Sequence, residues 1–272
     1  MKLGLATNIY YNMGIIEQIR LFKSVGFHSF FTRWDKNIDL YKNEAERCGI
    51  FYESVHAPNG NTEKLWRDDE EANVVIAEWI KCVEDCADVN IPIVVLHPFR
   101  GIGTTENPSI KGVEHFKRVV DVATRKNVKI AIENVEEENY LFTLLEAFSD
   151  CGNIGFCWDS GHERCYNRGK DMLSLYGQRL ICTHLNDNKG IRNANGILSA
   201  TDDLHLLPFD GENDWEKIAM RLVKINYCDT LTFELKKSDY YKFLTVEEYV
   251  KEAYDRATRV AKLCAEMRGN NL

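Results

Sequence analysis

The sequence contains no C-x-x-C pair, no apolar run long enough to span a bilayer, no Pro- or Gly-rich linker and no surplus of basic charge. Each absence removes a class of protein. The nine cysteines are scattered and odd in number, with Cys82 and Cys86 four apart in a helical stretch. That usage fits a reducing compartment and excludes a disulfide framework. The start, Met1-Lys2-Leu3-Gly4-Leu5, runs directly into a strand pattern and carries no signal-like segment. The expectation is a cytoplasmic chain with no membrane partner. A formal charge of -8 disfavours a surface built to hold a nucleic-acid backbone by bulk electrostatics. No G-x-G-x-x-G follows the first strand, which weakens a dinucleotide-binding reading.

What is present is alternation. Short β-branched runs occur at Leu3–Thr7, His28–Trp34, Phe51–Pro58, Ile93–Phe99, Lys129–Val135, Ile154–Gly161, Leu180–Asp187 and Thr230–Lys236. Amphipathic stretches separate them: Met13–Gly26, Lys36–Gly49, Arg67–Asn90, Ser109–Asn127, Tyr140–Asp150, Asp214–Asn226 and Thr245–Arg268, with a weaker one at Asn167–Gln178. Gly26, Gly49 and Asn127 read as left-handed C-caps. Strict alternation implies parallel strands with crossover helices, and eight units imply closure. The 272 residues fit one (β/α)8 barrel, which needs about 250. We therefore expect a single α/β domain, 1–272, a TIM barrel. One long irregular segment, Asn188–Glu212, follows strand seven, a length that is usually functional.

The chemistry gathers at strand ends. Strands three to eight finish on His56, His97, Glu133, Asp159, His184 and Glu234. Residues two apart share a face of a strand. Two positions before these six lie Ser54, Val95, Ala131, Cys157, Cys182 and Thr232, all small or medium, as a crowded barrel interior demands. One position before lie Val55, Leu96, Ile132, Trp158, Thr183 and Phe233, suited to the outer helices. So the six are expected to point into the upper mouth, where barrels of this kind carry their sites. His162, Asp203 and His205 join them from loops. Nitrogen and carboxylate donors without thiolate suit a divalent ion, zinc or manganese first, and a shared carboxylate can bridge two. The competing structural account makes Glu133 an ion-pair partner of Lys129 or an arginine. Trp66 and Trp79 read as core. Asp68-Asp69-Glu70-Glu71 reads as a helix's first turn, and Glu136-Glu137-Glu138 as a solvated loop or helix start. Arg33, Arg100, Lys189, Arg192, Lys236 and Lys237 lie near the mouth, where one or two suit a substrate phosphate.

Several segments together carry a resemblance: His56-Ala57-Pro58, Leu96-His97-Pro98, Ile132-Glu133-Asn134, Trp158-Asp159-Ser160-Gly161-His162, His184-Leu185-Asn186-Asp187, and Asp203-Leu204-His205-Leu206-Leu207-Pro208 with Gly211 and Asp214-Trp215. In this order the chain resembles the xylose isomerase-like barrel superfamily. That superfamily holds sugar and sugar-phosphate isomerases and epimerases, and endonuclease IV-type apurinic endonucleases. The epimerase branch implies one divalent metal on Glu133, Asp159, His184 and Glu234. The two glutamates would then move the proton, and His162 would contact substrate oxygens. The endonuclease branch implies three zinc ions, the further ligands being His56, His97, His162, Asp203 and His205. Asn59 stands where that branch has a DNA-contacting aromatic, and Val135-Glu136-Glu137-Glu138 replaces its small Gly-rich loop. The expectation is therefore a metal-dependent isomerase or epimerase of a sugar or sugar phosphate, with abasic-DNA hydrolysis as the alternative and homo-oligomer formation open.

Overall fold

The computed structural model describes residues 1–67 and 70–269. Eight parallel strands form the centre: β1 Leu3–Ala6, β2 Ser29–Arg33, β3 Phe51–His56, β4 Ile93–Leu96, β5 Lys129–Glu133, β6 Ile154–Asp159, β7 Leu180–His184 and β8 Leu231–Phe233. The helices among the described residues are α1 Ile15–Val25, α2 Ile38–Cys48, α3 Glu70–Asp88, α4 Ile110–Lys126, α5 Glu138–Ala147, α6 Ser160–Cys165, α7 Met172–Tyr176, α8 Trp215–Lys224 and α9 Val246–Gly269. Strand order is β7-β6-β5-β4-β3-β2-β1-β8. The β7–β8 seam is closed by a single bridge, Leu185 with Phe233, plus Thr183 Oγ1 accepting from Thr232 N at 3.0 Å. The expected single (β/α)8 barrel is thus observed.

The alternation of small and large residues sorts into two cores as the period requires. Ile93, Val95, Ala131, Cys157 and Cys182 pack inside the barrel. Val55, Leu96, Ile132, Trp158 and Phe233 belong to the larger layer between strands and helices. Two irregularities break the simple period. Register slips between Phe30 and Phe31 against β3, where Tyr52 and Ser54 are successive partners, so Glu53 is an extra residue. It slips again between Phe156 and Cys157, leaving Ile181 as the extra residue of β7. Such bulges re-aim side chains. Glu53, which the period would send outward, is instead buried on Ser29 Oγ and Thr232 Oγ1.

Most strands are shorter than the sequence expectation: β4 ends at Leu96 and β8 at Phe233, so His97 and Glu234 lie one residue past their strands. Strand six stops at Asp159, not Gly161, because the Asp159 carboxylate caps α6 by accepting from His162 N at 2.7 Å. His162 therefore rides on a helix rather than a loop. The weak helix at Asn167–Gln178 shrinks to α7, opened by an Asp171 cap on Ser174 N. Gly26 sits at φ 120°, beyond the left-handed helical well, whereas Gly49 (φ 67°) and Asn127 (φ 58°) occupy it as expected. Of the acidic run at α3, Glu70 and Glu71 do form its first turn, while Asp68 and Asp69 lie outside the described residues. Among the described residues no helix is long and apolar enough to cross a membrane.

Two tryptophans are core residues with a second task. Trp79 donates its indole N–H to Pro58 O and Trp66 donates to Pro98 O, each at 2.7 Å. Both carbonyls lie just past the histidines of β3 and β4, so the indoles pin those strand ends. Behind β6, Arg221 reaches from α8 to chelate Glu163 with bonds of 2.7 and 2.8 Å while its guanidinium lies over Trp158. Removing one partner of a buried ion pair strands the other. Arg221→Ala is expected to lower unfolding free energy by about 3 kcal/mol, read from the urea midpoint.

Candidate metal centre

Glu133, at the end of β5, has no exposure and stands at the centre of the mouth. Four histidines surround it: His162 Nδ1 and His184 Nδ1 at 3.1 Å, and His56 Nε2 and His97 Nε2 at 3.5 Å. Its partners are therefore imidazoles, and neither Lys129 nor an arginine pairs with it. His184 Nδ1 lies 3.1 Å from Glu234 as well, so the two glutamates flank one ring. Phe31 stacks on that ring's face at 4.4 Å and 7°. The sequence-predicted residues come together in three groups, each with potential donor atoms within 4.8 Å of one another: Glu133, Asp159, His184 and Glu234; His56, His97 and Glu133, which shares Glu133 with the first; and His162, Asp203 and His205. A fourth group joins Cys157 to Glu133 and His184, but burial holds that thiol well above its ordinary pKa, so it is a poor source of thiolate.

Orientation is fixed from behind. Nδ1 of His56 donates to Ala57 O at 2.8 Å, Nδ1 of His162 to Asn134 O at 2.9 Å, and Nδ1 of His205 to Glu234 O at 2.9 Å. A carbonyl on Nδ1 turns Nε2 toward the mouth, the arrangement typical of ligating histidine; in His205 that nitrogen meets Asp203 Oδ2 at 2.9 Å. Asp159 is held by two amides that the sequence motifs contained without a role. Asn186 Nδ2 donates to both carboxylate oxygens at 3.0 and 2.9 Å, and Asn134 Oδ1 accepts from Asp159 N at 2.8 Å. Asn186 fits because residue 161 is glycine; a Cβ there would overlap Asn186 Oδ1. The long segment after β7 is not loose. Asp187 accepts from Phe209 N, Asn213 N and Trp215 Nε1 at 2.8 to 3.0 Å, and pairs with Leu206 through a bridge. This places Asp203 and His205 at the mouth.

The electrostatics describe buried acids and imidazoles that hold one another charged. Burial works against charge on Glu133, yet the adjacent His184 and His97 hold it well below the usual carboxylate range. Glu234 is brought down to about 2 in the same way, its burial outweighed by His184. Burial, with Glu133 and Glu234 nearby, pushes Asp159 up to about 6. Burial disfavours the charged form of His184, but Glu133 and Glu234 hold it well above 6.5, and Asp203 carries His205 to about 10. His97, less well compensated, is lowered to about 4 by burial. Among the described residues Asp203 Oδ1 and His184 Nε2 have no hydrogen-bond partner, and Glu133 Oε1, 3.1 Å from His162 Nδ1, receives no well-directed bond. Carboxylate oxygens without donors, beside imidazoles with free nitrogens, fit a divalent cation.

Two cavities meet over the cluster. The smaller, about 210 Å³, is lined by His56, His97, Glu133, His162 and Glu234 together with Glu136 and Tyr166. Glu136 is thus part of the mouth and not solvated loop, while Glu137 and Glu138 supply the helix start that the acidic run also allowed. The larger, about 640 Å³, shares Arg33, Asp203, His205 and Glu234 with it and extends past Tyr10 and Trp34.

A (β/α)8 barrel with carboxylates and imidazoles converging at the strand ends defines the class. The chain belongs to the xylose isomerase-like TIM barrel family, whose model matches residues 19–266. It is 30% identical to an uncharacterized protein, y4fM, of Sinorhizobium fredii, over 91% of this chain and 93% of that one. It is 26% identical to an inosose isomerase of Bacillus subtilis, over 69% of each chain. Among solved structures, the IolI protein with a bound zinc atom superposes with a TM-score of 0.75 at 20% identity, covering 98% of this chain and 99% of that one. An L-ribulose 3-epimerase superposes with a TM-score of 0.77 at 13% identity, covering 100% and 97%.

Two outcomes follow. In the metal-free protein His162 and His184 hold protons at neutral pH, so a cation must displace them. Apparent zinc affinity is expected to rise as the pH is taken upward from the ordinary histidine range, with net proton release in calorimetry repeated in buffers of different ionisation heat. A pH-independent affinity would contradict this. Gly161→Ala, which displaces the amide from Asp159, is expected to weaken zinc about 10- to 100-fold in chelator competition while leaving the fold intact by circular dichroism.

Proposed function

We propose that the chain is a divalent-metal-dependent isomerase or epimerase acting on a sugar or sugar derivative. The observation that carries this reading is the pair Glu133 and Glu234, each 3.1 Å from His184, both lining the cavity over the four-donor group. Glu133, Asp159, His184 and Glu234 would hold the metal. When bound, the ion supplies Lewis acidity to adjacent carbonyl and hydroxyl oxygens and so lowers the cost of removing a proton from the neighbouring carbon.

The remaining chemistry belongs to the side chains. Glu234 is partly exposed, so its carboxylate can reach a carbon seated in the cavity and take its proton. Glu133 faces the same space from β5, on another side of the mouth, and would return to the other face a proton drawn from the His162 imidazolium 3.1 Å away. His162, locked through Nδ1 to Asn134 O, presents Nε2 toward the cavity, where it orients a substrate hydroxyl. Tyr166 packs against the His162 ring at 4.8 Å and closes that side. The isomerase and epimerase names of several relatives support the reaction class. Zinc in the IolI structure supports the metal, with manganese the other ion that this donor set suits.

A second reading rests on one observation, the completeness of the two outer groups. His56, His97 and Glu133, and His162, Asp203 and His205, would extend the site to three ions, as a zinc phosphodiesterase acting on abasic DNA requires. Glu136 at the mouth and the net charge of -8 oppose a phosphate backbone there.

Elemental analysis of the purified protein separates the two: about one tightly held ion per chain is expected, and three would favour the phosphodiesterase. Incubated in D2O with a panel of ketoses and inososes, the wild-type protein is expected to place deuterium on the carbon beside the carbonyl. Glu234→Gln should lose about 10²- to 10⁴-fold of that exchange while keeping part of its metal. Turnover without deuterium uptake would replace proton transfer by a hydride shift, and unimpaired exchange in the variant would remove Glu234 from the pair.

A further inference from the structure

The segment joining β8 to α9 carries a side chain with no place in its own fold. Phe243 is 86% exposed, yet the chain on both sides of it is anchored. On one side Tyr241 is buried, its hydroxyl accepting from Leu207 N at 2.9 Å and donating to Asp210 at 2.9 Å. On the other, Glu248 accepts from Thr245 N at 2.8 Å while Thr245 Oγ1 accepts from Glu248 N at 3.2 Å, a reciprocal cap that fixes the start of α9. The ring is therefore presented outward by an ordered turn. Beside it lies a groove of about 460 Å³ lined by Leu207, Tyr241 and Leu244, with Glu248, Lys251 and Arg256 completing it. The cations of the groove are already neutralised, Lys251 by Asp255 and Arg256 by Asp210 and Glu252. What it offers a guest is mainly apolar contact.

Isolated exposed apolar side chains are ordinary. What sets Phe243 apart is the groove next to it and the charges around it. Lys242 precedes the ring and Glu247 follows it; both are exposed, and among the described residues neither has an ion-pair partner. The segment thus reads cation, aromatic, anion along its length. Antiparallel apposition of two such segments about a twofold axis sets Lys242 of each copy against Glu247 of the other, with no like charges opposed. The same operation serves the ring. Knob and groove are adjacent in the chain, at Phe243 and Leu244, so an axis passing close to them seats both rings at once. A closed isologous pair leaves neither knob nor groove open, whereas head-to-tail contact leaves one of each and goes on adding chains. Tyr240, half-exposed on the preceding turn, widens the face.

We propose that this face joins two copies of the chain about a twofold axis, Phe243 of each seated in the groove of the other and Lys242 opposed to Glu247 across the contact. The pairing does not depend on which reaction the mouth performs. Sedimentation equilibrium of the full chain with zinc bound, over a dilution series, reads it directly. A reversible monomer–dimer equilibrium is expected. Phe243→Asp should raise the dissociation constant at least about 100-fold, because each pair loses two aromatic anchors, with the circular dichroism spectrum unchanged. Lys242→Glu and Glu247→Lys should each weaken pairing about tenfold. Both together in one chain should restore it, since the reversed charges face each other again. A chain that stays monomeric at every dilution would overturn the pairing in favour of a different protein as the groove's occupant. Dimers that survive Phe243→Asp, assemblies that grow without limit, or a double charge reversal that fails to recover pairing would overturn it as well.

Discussion

The structure turns on one buried charge. Glu133 has no exposure, and a carboxylate in that position is costly unless something positive accompanies it. Four imidazoles do so within 3.5 Å, and they arrive from β3, β4, α6 and β7. Each of those elements must end at the same height for the charge to be tolerated. The Trp79 and Trp66 anchors, the Asp159 cap on α6 and the Asp187 brace under the long segment all serve that alignment. The mouth is thus less a decoration on the barrel than the reason for much of its local detail.

That dependence explains why so much was legible without coordinates. Eight β-branched runs separated by amphipathic ones leave few architectures, and six ligand-type residues at six strand ends have no common purpose in a merely structural account. The paired layers beneath them, Val95, Ala131, Cys157 and Cys182 inside, and Leu96, Ile132 and Trp158 outside, appear as the two-residue period demanded. What stayed hidden has a physical reason in each case. A period test cannot register an inserted residue, so Glu53 and Ile181 passed unnoticed. The cap that turns Asp159 into the start of α6 competes with strand continuation over residues whose composition suits both. Asn134 and Asn186 lay inside the quoted motifs, but amides carry neither a metal-ligand nor an acid–base signature, and only their bonds to Asp159 and His162 reveal them. Glu136 read as solvent-facing because the loop that folds it over the cavity has no periodicity.

Glu53 shows how the same device serves two levels. The bulge that turns it inward puts a carboxyl below the mouth, where burial raises it to about 7 and two hydroxyls share it. The barrel therefore carries acidic groups in two storeys. The upper one is compensated by imidazoles, and the lower one by hydrogen bonds from Ser29 and Thr232. Gly4 leaves the room for this, since a Cβ there would press on both of those hydroxyls.

The seam between β7 and β8 has a mechanical consequence. Neighbouring strands elsewhere are zipped over three or more registered residues, as β1 is with β2, while this junction has a single bridge. His184 closes one lip and Glu234 the other, and they meet across it at 3.1 Å. The last strand to be synthesised in the barrel is thus docked against the seventh by a few bonds around Leu185 and the Thr183 hydroxyl, with the ionic contact at its end. An ion chelated by both lips would act as a clasp on a ring that is otherwise only loosely buckled, coupling the breathing of the whole cylinder to what its rim holds.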